Sequence, residues 1–174
     1  MNKYKKLLFT AVGVAAIVYL IRNQDKLIKG LAPRVLDRVQ RGQDVTSLTT
    51  ALAEAGDKVQ ATLATRPDTE YNRRILSHMI GIERWGRRRL LVALGEPLIM
   101  DEYDGYRPRR ERSWEELKET FVQTRRDTVN VAHQLTQVPP QTRIPHNQFG
   151  DLTILDWLLY LRLHADGEVQ KMAR

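Results

Sequence analysis

Residues Ile154 to Met172 read ILDWLLYLRLHADGEVQKM, and the fold turns on this stretch. The positions Ile154, Trp157, Leu161, His164, Glu168 and Met172 follow one another at steps of three or four. Apolar residues at that spacing form the inward face of a helix in a bundle. His164 and Glu168 take two successive places on that face, one turn apart and pointing the same way. A second seam, Ile75, His78, Ile82 and Trp85, carries another histidine. A carboxylate buried without a partner costs several kcal/mol or neutralises itself, so such groups need company. A divalent cation held by His78, His164 and Glu168 would supply it. A structural pair between His164 and Glu168 is the alternative.

Working outward, the remaining periodicities are helical and strand signals are nearly absent, so the class is all-α. The spacing predicts a first helix from about Asp44, a plausible cap, to Ala64, with Leu48, Leu52, Ala55, Val59 and Leu63 inward. Arg66-Pro67-Asp68 breaks it, and a second helix runs from about Glu70 to Leu94, stopped by Gly95 and Pro97. A third opens on Ser113-Trp114-Glu115-Glu116, a capping-box spacing, and carries the seam Trp114, Leu117, Phe121, Thr124, Thr128, Val131, Leu135 and Val138. Pro139-Pro140 ends it, and the fourth runs from near Thr153 to the C-terminus. Two connections are long, Gly95–Arg112 and Pro139–Leu152, and loops of that length in a small domain are often functional.

The net charge of +7 belongs entirely to the first 41 residues, where nine Lys and Arg face Asp25 and Asp37; the rest is balanced. A nucleic-acid-binding domain carries its positive patch on the folded body, so nucleic acid is not an expected partner. The chain has no cysteine, which excludes disulfides, thiolate metal sites and a cysteine nucleophile. Leu7 to Ile21 is an uncharged apolar run flanked by Lys3, Lys5, Lys6 and Arg22. As helix it covers roughly 22 Å, and snorkelling flanks bring it close to spanning a bilayer. It ends without the small-residue cleavage pattern of a signal peptide, which favours a retained single-pass anchor. Counting Arg22, six Lys and Arg follow the run within about twenty residues, which places the body in the cytoplasm under the positive-inside bias.

Three segments follow from this: an N-terminal transmembrane anchor over 1–24, a basic amphipathic linker helix over 25–43, and a four-helix bundle over 44–174. In the linker, Leu27, Leu31, Val35 and Val39 recur beside Ile28 and Leu36, with basic residues elsewhere on the wheel. That pattern suits an anionic membrane surface. It equally suits a helix packed on the domain.

The order and spacing of several short motifs point further. They are Ser77-His78-Met79-Ile80-Gly81-Ile82-Glu83-Arg84, Gly95-Glu96-Pro97-Leu98, Ser113-Trp114-Glu115-Glu116-Leu117, and Phe149-Gly150-Asp151-Leu152-Thr153-Ile154 leading into Leu161-Arg162-Leu163-His164. Over roughly residues 44–174 the chain resembles the DinB/YfiT-like superfamily. The resemblance implies a DinB-like four-helix bundle whose metal site takes one histidine from the second helix and a His-x3-His pair from the fourth. It also implies chemistry of the thiol-dependent S-transferase or isomerase kind, with a low-molecular-weight thiol as co-substrate, and a thiol-dependent transferase or a hydrolase is the activity expected here. This chain departs at the last ligand, where Glu168 stands in place of histidine. Two histidines and a carboxylate still ligate zinc, nickel, iron or manganese and leave positions open. The change equally fits a member that has lost its metal, with Glu168 paired to Arg162, Lys171 or His164.

Other candidates are weaker. His133 lies off the third seam and is expected in solvent. His146 sits in the long connection before the fourth helix, read as a loop residue in preference to the rim of a site. Asp101-Glu102-Tyr103-Asp104 lacks calcium-loop spacing and precedes Arg107, Arg109, Arg110 and Arg112, so a self-neutralised loop is expected. Two functions stand open. One is a metal-dependent enzyme with a pocket shaped by residues 95–112. The other is a membrane-tethered helical binding module without the chemistry. The expected partners are the membrane through residues 7–21, a small thiol or other small substrate, and a second copy of the chain in a homodimer.

Overall fold

In the computed structural model, residues 36, 40 and 42–173 are described. The expected anchor over 1–24 lies outside them, as does most of the 25–43 linker. Among the described residues no helix is long and apolar enough to cross a membrane.

Four helices dominate: α1 (Val45–Ala64), α2 (Glu70–Val92), α3 (Trp114–Gln134) and α4 (Ile154–Val169). Each begins where a side chain satisfies an orphan backbone N–H of its first turn. Asp44, Thr69, Ser113 and Thr153 accept from the amides of Ser47, Asn72, Glu116 and Asp156. Three of these starts are reciprocal boxes, in which Ser47, Glu116 and Asp156 accept in return from the cap amide. α1 and α2 each pack against both α3 and α4, which closes a four-helix arrangement.

Two expected ends move inward. α3 stops at Gln134 and tightens into a 3-10 turn over Leu135–Gln137, so the last part of its apolar seam leaves the helix. α4 stops at Val169, short of the C-terminus. The tail after it is nonetheless fixed. Asn72, fully buried, accepts from the Ala173 amide at 2.9 Å and donates to the Ala173 carbonyl at 3.2 Å. That clamp seats Met172 in the core.

The all-α expectation needs one correction. Residues in the second long connection form a two-stranded antiparallel hairpin, β1 (Arg143–His146) and β2 (Gly150–Thr153), in which Ile144 faces Leu152 and His146 faces Gly150. Gly150 has φ of 75°, a left-handed conformation that costs other residues more, and it lets the chain turn back into β2. The hairpin explains why α4 has almost no polar face in its first three turns. Leu155, Trp157, Leu158, Leu159, Tyr160 and Leu161 are all buried, and Trp157 donates its indole N–H to the Ile144 carbonyl at 3.0 Å.

The apolar interior forms two clusters. One gathers around Trp85, Trp157, Leu48, Leu52 and Ile144, the other around Leu76, Met79, Trp114, Phe121 and Val169. Polar side chains lie where they meet. Along α4 the boundary is His164, between Leu163 of one cluster and Ala165 of the other. Across the bundle Arg125 pairs with Glu83 at 3.0 Å, both buried. Leu36, from the basic linker stretch, is buried in the first cluster.

Candidate metal centre

The first long connection is pinned over α2, and α2 is built to receive it. Gly81 carries no Cβ; one placed there would meet Arg107 Cγ at 2.9 Å and the Tyr103 carbonyl at 3.1 Å. The glycine therefore lets the 3-10 turn Tyr103–Tyr106 lie directly on the helix. Three residues hold the approach to that turn. Arg89, almost wholly buried, donates to the carbonyls of Ile99 and, at 3.1 Å, Asp101. Trp85 donates its indole N–H to the same Asp101 carbonyl at 3.1 Å. Asn147, from the hairpin turn, donates to that carbonyl at 2.8 Å and accepts from Arg89 at 3.0 Å. The two long connections are thus fastened to each other and to α2.

What they enclose is a cavity of about 200 Å³. His78, His164 and Glu168 line it, together with Tyr103 from the first connection and His146 from the hairpin. All three expected ligands are brought together. His78 Nε2 and His164 Nε2 are 3.2 Å apart, His164 Nε2 and a Glu168 oxygen 3.9 Å, and one donor atom from each lies within 4.8 Å of the others. His164 and Glu168 are buried and His78 is half-buried.

The chemistry of this set can be tested against a cation. Ligand atoms about 2.0–2.1 Å from a tetrahedral ion stand about 3.3 Å apart. The two histidine nitrogens already meet that spacing, and the carboxylate needs only a small side-chain adjustment. Burial holds the His164 imidazole well below its ordinary pKa, helped by the neighbouring His78 and by Lys171. Burial also lowers His78, against the opposing pull of Glu168. Both rings are therefore neutral near pH 7 and have a lone pair to give, which is the form that binds metal. The donor set fits a divalent ion.

A competing partner is also present. The Lys171 ammonium sits on Glu168 Oε1, one turn further along the chain. Of the alternative partners expected for Glu168, Lys171 and His164 are in contact, whereas Arg162 reaches Asp166 at 4.0 Å.

His133 is exposed, as expected. Two of the three carboxylates of the 101–104 cluster pair with arginines, one of them not among those expected, while Glu102 accepts from the Asn147 side-chain amide at 2.8 Å. Asp104 pairs with Arg107 at 2.8 Å, but Asp101 takes Arg89 at 3.6 Å and the Tyr106 hydroxyl at 2.5 Å.

His146 corrects the loop reading. It ends β1, is buried, and packs against Phe149 at 4.4 Å and Trp85, Trp157 and Tyr160 at 5.0 Å between ring centres. Its Nδ1 accepts from the amides of Gln148 and Phe149 at 3.1 and 3.3 Å, closing the hairpin turn. Burial, with Arg89 nearby, pushes its pKa down to about 3, so it too is neutral. The alternation Ile144, His146 before Asn147 and Gly150 fits a short strand with the histidine turned inward, but two alternations alone do not separate a strand from a loop.

No protein-family model, no curated protein and no solved structure matches this chain.

Proposed function

We propose that this chain is a DinB-like metalloprotein in which His78, His164 and Glu168 hold one divalent ion beneath a small substrate cavity. The observation that carries the proposal is the convergence of three neutral or anionic donors from α2 and α4 within 4.8 Å, lining one cavity. Zinc, nickel, iron or manganese each suits two imidazoles and a carboxylate. When bound, the ion would lower the pKa of a thiol or a water and supply a nucleophile near neutral pH, the chemistry of a thiol-dependent transferase or a hydrolase.

The chain's own residues do the rest. His78 and His164 offer neutral nitrogens, and Glu168 exchanges Lys171 for the ion. Tyr103 packs edge-on against His78, with ring centres 5.0 Å apart, and holds its imidazole in place. Trp85, Phe149 and Tyr160 add apolar wall beside the polar groups that line the cavity. Tyr160 stays a neutral phenol, since burial raises its pKa.

We further propose that residues 7–21 tether the bundle to the cytoplasmic face of a membrane, and that the substrate is small. A homodimer belongs to the same proposal.

The Lys171–Glu168 contact favours a second reading, a tethered binding module in which the lysine has replaced the metal. Calorimetric titration of tag-free protein with Zn²⁺ separates the two. The metalloprotein should bind about one ion per chain at micromolar concentration near pH 7.5, and His164→Ala should lose that binding with its helical circular dichroism intact. Absence of binding in the wild type would leave the binding module standing.

A further inference from the structure

A second cavity, of about 690 Å³, is lined by α2, by the segment 104–110 and by Leu117 of α3. It shares no lining residue with the cavity of His78, His164 and Glu168. Its wall holds five arginines against two carboxylates, Glu70 and Asp104. Arg73 is paired with Asp68 at 2.5 Å and Arg107 with Asp104 at 2.8 Å. Arg74, Arg109 and Arg110, all exposed, have no ion pair among the described residues. Even with Asp68 counted, the balance is positive. A cleft lined mainly by one sign of charge concentrates ions of the other. Ser77 lies four and three residues beyond Arg73 and Arg74, so its half-buried hydroxyl joins them on one side of α2.

We infer that this cavity binds a small molecule bearing a phosphate monoester. A guanidinium presents five N–H donors in a planar fork that matches phosphate oxygens, so even a paired arginine keeps donors to give. One fork is enough for a carboxylate, whereas a phosphate dianion takes several, and three here are without a counter-charge. The volume falls within the 300–1,000 Å³ typical of small-molecule sites, which leaves room for the body of the ligand beside its phosphate. Buried Pro108 and Leu117 give that body apolar wall. A long polyanion fits less well, because residues 42–174 are balanced overall and the positive excess is local. A free phosphate ester and a lipid headgroup share this chemistry. The inference does not depend on the metal.

The test is calorimetric titration of the full chain, in non-ionic detergent near pH 7.5, where the ester is a dianion. The probes are glycerol 3-phosphate and dihexanoyl phosphatidic acid, which carries the same group on a lipid. The expected result is a dissociation constant below about 1 mM. Binding of both supports a site for the free ester, and binding of the second alone supports a lipid headgroup site. Arg109→Gln with Arg110→Gln should weaken binding about tenfold, the scale of two exposed ion pairs. Arg126→Gln with Arg143→Gln removes as much charge from exposed positions outside the cavity and should leave binding unchanged. Should the loop variant not fold, Arg74→Gln on α2 should weaken binding about threefold in its place. Absence of binding by both probes overturns the inference. So do equal losses from the two pairs, no loss from any cavity variant, or acetate binding as tightly as glycerol 3-phosphate. Zinc titration of the same preparations is read separately, so failure of the metal centre and failure of this site are distinguishable.

Discussion

His78 Nε2 and His164 Nε2 face each other at 3.2 Å across the contact of α2 with α4. Two neutral imidazoles at that distance have two satisfied states. One ring donates a proton to the other, or both turn lone pairs on one cation. In the first state Glu168 is left to Lys171, and in the second it joins the histidines. The lysine and the metal are therefore competitors for one carboxylate, and the competition can be measured.

Replacing Lys171 with Met should raise the affinity for Zn²⁺ by roughly tenfold. The ion would no longer have to displace a charge-assisted hydrogen bond, the kind worth about 1.5–3 kcal/mol and less where solvent screens it. The lysine side chain is 28 % exposed, so the lower end applies. Competition against a chelator of known affinity gives the number. An unchanged or weaker affinity would mean that Lys171 does not oppose the metal.

Acid should destabilise the fold through its buried imidazoles. In the unfolded chain a histidine takes a proton near pH 6.5. In the folded chain His146 does so only near pH 3, because burial and then Arg89 oppose the charge. Below pH 6.5 the unfolded state binds more protons, so its contribution to stability, fully present above 6.5, is lost as pH falls toward 3. The slope is about 1.4 kcal/mol per pH unit for one such group. His164 and His78 act in the same direction. Glu83 acts oppositely, since burial raises its carboxyl. The readout is therefore the difference in urea midpoints between wild type and His146→Asn at pH 6.5 and 4.5. The wild type should lose more, and equal losses would remove His146 as the cause.

The Glu83–Arg125 pair at 3.0 Å should be costly to break and cheap to replace. Arg125→Met leaves a carboxylate in the core and should cost about 3–5 kcal/mol. Glu83→Leu with Arg125→Met should recover most of that loss, since two buried charges lose much of their hydration. Chemical denaturation of the three variants forms the cycle. A double variant as unstable as the single one would show that the pair shapes the local packing by more than its charge.

The helices were legible because each repeats its apolar positions over four or more turns and begins on an oxygen-bearing cap. His78, His164 and Glu168 stood out for the same reason, as polar residues on otherwise apolar seams. The hairpin left no comparable trace. Its strands, Arg143–His146 and Gly150–Thr153, are four residues each, and Pro145 interrupts one of them. Two alternations cannot be told from a loop. His146 was misread with the hairpin, because only the strand turns it inward. Tyr103 was hidden differently, since its place over His78 depends on the missing Cβ of Gly81, a contact between distant residues. Periodicity reports which face of an element is buried and is silent on what covers it.

Leu36 joins the basic stretch to the bundle, and it gives the last prediction. It is 2 % exposed and shares a cluster with Leu48, Leu52, Trp85 and Trp157. The Gln40 amide donates to its carbonyl at 2.9 Å. Leu36→Ala should cost about 2–4 kcal/mol, the range for a core leucine that leaves a cavity. Trp85 and Trp157 report on the same cluster, so fluorescence-detected unfolding of detergent-solubilised protein should show the lower midpoint. A chain starting at Gly42 should lose a comparable amount and still bind zinc with wild-type stoichiometry, because the ligands come from α2 and α4 alone. The full chain should sediment with membranes and resist extraction by high salt. Salt screens the attraction of basic residues to lipid but leaves the burial of an apolar run untouched. Release by salt alone would reduce residues 7–21 to a peripheral arm. A Leu36→Ala protein as stable as the wild type would show that Leu36 packs in the cluster without holding it together.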